Sequence, residues 1–250
     1  MRKLTFILTA LFMATVARAQ SDYTKSLDGI QWVKIESKSD IVVKTHSSNQ
    51  LLIKSGPEIK TPERAKGLKL VGEGGTDNTN VGFSVVQDGN TLIVHNLRKD
   101  KKGEIYLPAS QNVSVKSTWN GDIEIDGFSG EIEADAQLNG GVKILNVNGP
   151  VTANSLNGVL EVVFGKVTQS SPISLYSTNG AVDVSLPSNT PANLALSTLN
   201  GNVYTDFEVK AEDKNGLKSV LGRDIKTSIN GGGVKIALKS TNGNMYLRKK

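Results

Sequence analysis

Asparagine-glycine pairs recur through the second half of this chain at a nearly constant interval, which limits the fold more than any other feature. Gly121, Gly140 and Gly158 follow Asn120, Asn139 and Asn157, at spacings of 19 and 18 residues. Gly130 and Gly149 fall about halfway between them, and further pairs stand at Asn179-Gly180, Asn200-Gly201, Asn230-Gly231 and Asn242-Gly243. A repeat of this period signals stacked units, each too small to bury a core alone. Glycine recurring this often excludes helix.

Two residues after most of these glycines comes an apolar residue (Ile123, Val142, Leu160, Val182, Val203, Met245), and the alternation mostly continues with Ile125, Ile144, Val162, Val184 and Leu247. Polar residues such as Glu124, Lys143, Glu161 and Asp183 stand between. Strict alternation over four or five residues is a half-buried strand. Asn-Gly also favours hairpins, so a meander and a parallel stack compete. A hairpin closed at Gly127–Gly130 would oppose Asp126 to Glu131, Glu124 to Glu133 and Asp122 to Asp135. Each like-charge pair is unfavourable by up to ~1 kcal/mol. Stacking at the repeat period instead sets Glu124 beside Lys143, and Lys143 beside Glu161. The charges favour the stack, an all-β solenoid with rungs of about 18–22 residues.

Stacking brings Asn120, Asn139, Asn157, Asn179 and Asn200 into one column, where side-chain amides can bond along a ladder. The paired glycines, Gly121, Gly140, Gly158, Gly180 and Gly201, are expected to supply left-handed backbone at each corner. The apolar residues before the asparagines, Trp119, Leu138, Leu156, Leu199 and Ile229, are expected to turn inward. A longer repeat, "LPASQNVSVKSTWNG" at Leu107–Gly121, returns at Leu186–Gly201 and suggests the longer rungs of one continuous stack.

The N-terminal third is less regular, with strand-like runs at 31–37, 40–46, 50–55, 81–87 and 90–96. It is expected to continue or cap the stack, because an uncovered end exposes edges and core; a separate sandwich is the alternative. "GEGG" at Gly72–Gly75 has no lysine or helix for a phosphate cradle and reads as a flexible tip. A charged insertion, Glu208–Lys218, interrupts the C-terminal rungs. The expected organisation is a signal peptide at 1–19, an irregular N-terminal β region or cap at 20–102, and a regular solenoid at 103–250.

The first residues carry Arg2 and Lys3, an apolar run from Leu4 to Val16, and small residues at Ala17 and Ala19. That pattern is a secretory signal cut after Ala19, the run being short for a bilayer span. No other segment could cross a membrane as a helix, so export to periplasm, cell surface or medium is expected. Loss of Arg2, Lys3 and Arg18 lowers the formal charge from +5 to +2, which gives no electrostatic case for nucleic acid. There is no cysteine, so neither disulfides nor a lipid-bearing cysteine enter the reading.

The run "VSLPSNTPANLALSTLNGNV", the repeated Asn-Gly corners and the closing "INGGGVKIALKSTNGNMYLRK" resemble the bacterial "putative adhesin" family, a domain of unknown function similar to the heads of certain autotransporter adhesins. The likeness covers most of the chain after the signal. It implies a right-handed parallel β-helix exported to the envelope or surface, and brings no catalytic residues.

Chemistry-bearing motifs are sparse. His46 and His95 lack metal-ligand spacing, and no nucleophile elbow, phosphate loop or zinc motif occurs. The weak candidate is calcium at Asp122, Glu124, Asp126, Glu131, Glu133 and Asp135. Calcium wants six to eight converging oxygens, whereas one strand offers about two, and a solvated acidic face is the simpler reading. No cofactor is expected. The sequence therefore points to a non-catalytic solenoid binding an envelope or extracellular glycan or protein. Two alternatives are a polysaccharide-acting β-helix enzyme, with only Arg64, Arg98, Arg223 and Arg248 as mature arginines, and a structural envelope scaffold.

Overall fold

A computed structural model describes residues 21–56, 62–99, 101–209 and 223–250. The signal at 1–19 and most of the charged insertion, 210–218, lie outside the described residues. The chain opens with β1 (Tyr23–Ser26), β2 (Trp32–Ser37), β3 (Ile41–His46) and β4 (Gln50–Ile53). A small hairpin of β5 (Val71–Gly72) and β6 (Gly75–Thr76) precedes a longer one of β7 (Phe83–Asp88) and β8 (Thr91–Asn96). Regular strands follow: β9 (Gly103–Pro108), β10 (Asn112–Ser117), β11 (Ile123–Asp126), β12 (Ile132–Ala136), β13 (Val142–Val147) and β14 (Val151–Ser155). Next come β15 (Leu160–Phe164), β16 (Ile173–Ser177), β17 (Val182–Leu186), β18 (Ala192–Thr198) and β19 (Val203–Thr205). The last three are β20 (Arg223–Ile229), β21 (Val234–Ser240) and β22 (Met245–Lys249).

Apart from β5–β6, the strands form two ten-stranded sheets. The first runs β1-β4-β9-β3-β11-β13-β15-β17-β22-β19, and the second β20-β18-β21-β16-β14-β12-β10-β2-β8-β7. Alternation in sequence becomes alternation in burial: Ile123 and Ile125 of β11 are buried, whereas Glu124 and Asp126 face outward. The inward side chains of both sheets share a single core cluster that includes the strands before Gly103.

Consecutive strands joined by an Asn-Gly corner lie in opposite sheets and form a tier: β10–β11, β12–β13, β14–β15 and β16–β17. Each strand pairs in parallel with its equivalent in the next tier, so Glu124 adjoins Lys143, and Lys143 adjoins Glu161. Lys143 Nζ lies 3.6 Å from Glu161 Oε2. Glu124 and Glu133 stand on different sheets. The sheets are nevertheless mixed. Antiparallel partners end three of their four margins: β1 and β4 beside β9, β7 on β8, and β20 on β18.

Tier order departs from chain order at both ends. Tier β2–β3 lies between β8–β9 and β10–β11, and tier β21–β22 lies between β16–β17 and β18–β19. The chain therefore climbs two tiers, about 10 Å rather than about 5 Å, after Pro108 and again after Pro187. This is the meaning of the long repeat beginning at Leu107 and Leu186: it marks the two places where a tier is skipped, not a longer rung. To return from β20 across β18 to β21, the chain arches through Asn230, Gly231 and Gly232, all left-handed at φ 49°, 83° and 81°. Asn230 Nδ2 anchors the arch on the carbonyls of Ser188 (3.0 Å) and Thr190 (2.7 Å).

The skipped tier reorders the asparagine column. Amide bonds run from Asn139 to Asn120 (2.8 Å), Asn157 to Asn139 (3.2 Å) and Asn179 to Asn157 (2.6 Å). Asn242 then bonds Asn179 (2.6 Å), and Asn200 bonds Asn242 (2.7 Å). Asn242 thus stands between Asn179 and Asn200, which sequence order made neighbours.

The corner glycines serve a different purpose from the one expected. Gly121, Gly140, Gly158, Gly180 and Gly201 are absent from the described left-handed residues. They are small because the tiers touch there. A Cβ on Gly140 would strike the Gly121 carbonyl oxygen, one on Gly180 that of Gly158, and one on Gly201 that of Gly243.

At the Gly158, Gly180, Gly201 and Gly243 corners the inward residue is a hydroxyl three positions before glycine. Ser177 Oγ accepts the Gly180 N–H at 2.9 Å and donates to the Gly158 carbonyl at 3.2 Å. Ser240 and Thr198 accept from Gly243 and Gly201 in the same way. The first two Asn-Gly tiers contain one extra residue. Ser117 precedes Gly121 by four positions, and its buried hydroxyl has no hydrogen-bond partner. Ala136, four before Gly140, has no hydroxyl to place.

Candidate ligand-binding face

Because the small residues Ser117, Ala136, Ser155 and Thr198 occupy the inward position, the apolar residues next to asparagine are kept out of the core at these corners. Trp119 is 58% exposed, Leu156 39% and Leu199 52%, while Leu138 is half-buried. Only Ile229 among the five is buried, and it sits in β20 before the glycine arch. Trp119 lines an open trough of about 560 Å³. Leu138, Leu156 and Tyr176 line it further along.

Parallel register builds a polar row, of which Asp135, Asn154 and Tyr176 line the trough. Lys116, Asp135, Asn154, Tyr176 and Lys239 are successive partners across β10, β12, β14, β16 and β21. All occupy outward positions, one per tier. Asp135 Oδ2 accepts from Gln137 Nε2 at 3.1 Å. Tyr176 is held at its hydroxyl by Thr178 (3.3 Å) and Thr241 (3.2 Å), and Lys239 Nζ lies 5.3 Å from the centre of its ring. The bond from Thr178, then that with Thr241, lowers the Tyr176 phenol pKa from its ordinary value, and the Lys239 charge adds to the effect. Two positive and two negative groups, counting Glu36 beside Lys116, leave the row without net charge.

Glu36 links the trough to a smaller cavity of about 110 Å³, which shares Thr118 with it. Glu36 carboxylate oxygens lie 3.2 Å from His95 Nδ1 and 3.8 Å from Lys116 Nζ. The "GEGG" segment is not a free tip. It closes this cavity through β5–β6, Gly74 lies against the His95 ring where a Cβ would collide, and Glu73 pairs with Lys38 at 2.5 Å.

The six acidic residues considered for calcium do not converge. Glu124 and Asp126 face out from the first sheet, Glu133 and Asp135 from the second, and Glu131 precedes β12 at the opposite corner. Asp122 Oδ1 accepts the Gly141 N–H at 2.7 Å, and Asp126 Oδ1 accepts from Asn146 Nδ2 at 2.9 Å. Among the described residues no three His, Cys, Asp or Glu side chains are placed to hold a metal ion. Two of the arginines are committed elsewhere: Arg98 is buried against the Phe83 ring, and Arg248 forms a two-toothed pair with Asp183. Among the described residues no helix is long and apolar enough to cross a membrane.

Among solved structures, the chain is similar to a "putative cell adhesion protein" from Clostridium sporogenes. The two share 11% identity over 92% of this chain and 99% of that one, with a TM-score of 0.40. It is also similar to a "putative adhesin" from Bacteroides fragilis, at 15% identity over 93% and 98% of the chains and a TM-score of 0.36. No family model matches the chain, and no curated protein does.

Proposed function

We propose that this protein is an exported, non-catalytic β-solenoid that binds an envelope or extracellular partner on the outer face of its second sheet. The observation that carries the reading is the apolar line of exposed Trp119, half-buried Leu138 and exposed Leu156 beside an ordered polar row. Apolar groups gathered at the corners beside a hydrophilic sheet face mark an interaction surface. Parallel pairing of equivalent strands from tier to tier supports the solenoid. The strong right-hand preference of parallel strand connections supports a right-handed coil. In this reading residues 20–102 close one end and 103–250 supply the regular body. The basic, apolar and small-residue pattern of 1–19 supports export.

The test is a glycan array together with pull-down from envelope extracts, using the wild-type protein and a Trp119→Ala/Leu156→Ser variant. Capture that the variant loses is the expected result. Capture unaffected by the variant, or no ligand in either assay, refutes the assignment of this face.

A further inference from the structure

We infer that the trough beside Trp119 takes an uncharged, hydroxyl-rich polysaccharide chain lying along the direction in which the tiers succeed one another. This rests on the binding reading above and narrows its ligand class. Tiers succeed one another every 4.8 Å or so, close to the length of one pyranose unit in an extended β-linked glycan. An extended peptide advances about 3.3 Å per residue and falls out of step with the row. Trp119, 58% exposed, offers a flat indole face at one end. The Tyr176 ring stands three tiers further on. Flat amphipathic rings of this kind stack on the C–H faces of sugars while leaving their hydroxyls to polar neighbours.

The polar groups between the two rings suit the same ligand. Within the trough Asp135 accepts and Asn154 both donates and accepts, and Lys116, beside Asp135 in the row, donates, so the row answers hydroxyls of either sense. Because the row carries no net charge, it gives no advantage to an anionic chain, which would call for a positive field. The asparagine column on the other side is already bonded to itself from Asn120 to Asn200. Recognition therefore falls on the row and the two rings.

The test titrates the protein with cello-oligosaccharides, N-acetylated chito-oligosaccharides and an oligogalacturonate, by calorimetry and by tryptophan fluorescence in a Trp32→Phe background. Binding to a neutral series is expected to strengthen with length and level off near four sugars, one for each tier of the trough. Trp119→Ala and Tyr176→Ala should each weaken it about tenfold, the loss an interface anchor produces. Leu199→Ser, two tiers beyond Tyr176, should leave it unchanged, and circular dichroism should show all variants folded. Tighter binding of the oligogalacturonate, or neutral binding indifferent to Trp119, overturns the inference. Absence of oligosaccharide binding with Trp119-dependent capture of an identified envelope protein also overturns it while sparing the binding face. Capture independent of the trough removes both.

Discussion

Replacing serine by alanine at two equivalent corners should shift stability in opposite directions. Ser177 and Ser117 are both fully buried, at 0% exposure, and each ends a strand of the second sheet. In Ser177→Ala the buried Gly180 N–H loses its acceptor at 2.9 Å. The Gly158 carbonyl loses one donor but keeps Ser155 Oγ at 2.9 Å. One orphaned buried donor costs about 1–3 kcal/mol. In Ser117→Ala a hydroxyl without a partner disappears, so the loss of its desolvation penalty makes the change neutral or stabilising by about 1 kcal/mol. The assay is urea unfolding followed by circular dichroism. With a slope of about 3 kcal/mol per molar for a chain of this size, Ser177→Ala lowers the midpoint by roughly 0.3–1 M. Ser117→Ala leaves it in place or raises it by about 0.3 M at unchanged slope. If Ser117→Ala destabilises as much as Ser177→Ala, the three-residue spacing between hydroxyl and glycine is not what satisfies the corner.

Gly180→Ala drives a Cβ into the Gly158 carbonyl oxygen and should cost about 1–3 kcal/mol in urea melts, as overpacking does. Gly89→Ala, with φ +57° and open space around it, should cost only about 1 kcal/mol of left-handed strain. Truncation after Ile229 removes the inserted tier β21–β22 from between two others, taking Ile236, Leu238, Met245 and Leu247 out of the core. The truncated chain should lose cooperative unfolding and resist proteolysis poorly. A chain that melts as sharply as the parent would contradict the tier order. Asp22, hydrogen-bonded by Lys54 Nζ at 2.9 Å and by the Ser55 N–H at 2.8 Å, has its pKa lowered, with the Lys54 bond the largest cause. A lowered carboxylate contributes stability above its unfolded pKa of about 3.9, and loses it as pH falls through the folded value. Asp22→Asn should therefore flatten the stability profile below about pH 4 and lower stability slightly at pH 7, the pair being partly exposed.

The parallel register was legible because charge and apolar alternation carry independent information. Ile123 and Ile125 set which face is inward, and Glu124, Lys143 and Glu161 set which strands are neighbours. Tier order at the ends was not legible, for the opposite reason. β18 and β21 present the same alternation of buried and exposed positions, so nothing in their pattern says which one lies on β16. The duplicated Leu-Pro bends were the available signal, because a chain that must climb past an intervening tier needs a stiff, extended exit from its strand. The corners misled through composition. Leu156 and Leu199 are apolar and look like core, but the serine or threonine before each takes the inward place and accepts the glycine N–H, while at the longer corner Ser117 takes that place without a partner and Trp119 still lies outside. The distance from hydroxyl to glycine, three residues or four, distinguishes the two kinds of corner and is readable without a structure.

The small residue buried at each corner, Ser117, Ala136 or Ser155, leaves the larger apolar one outside, and that creates the candidate face. Where serine or threonine stands three residues before glycine it ties the corner to the neighbouring tier, and the strand's alternation then forces the next side chain, Leu156 or Leu199, outward. Repetition puts those outward side chains in register, so a chance apolar residue at one corner becomes part of a line. A ligand that repeats at the tier spacing would gain one contact per unit from such a line, and its affinity would grow with the number of tiers engaged. Trp119, the largest side chain of the line, stands at a corner one residue longer, while the tiers on either side keep their pairing. Variation at this position therefore changes what the face can hold without disturbing the stack, and the functional surface can diverge while the core that presents it stays fixed.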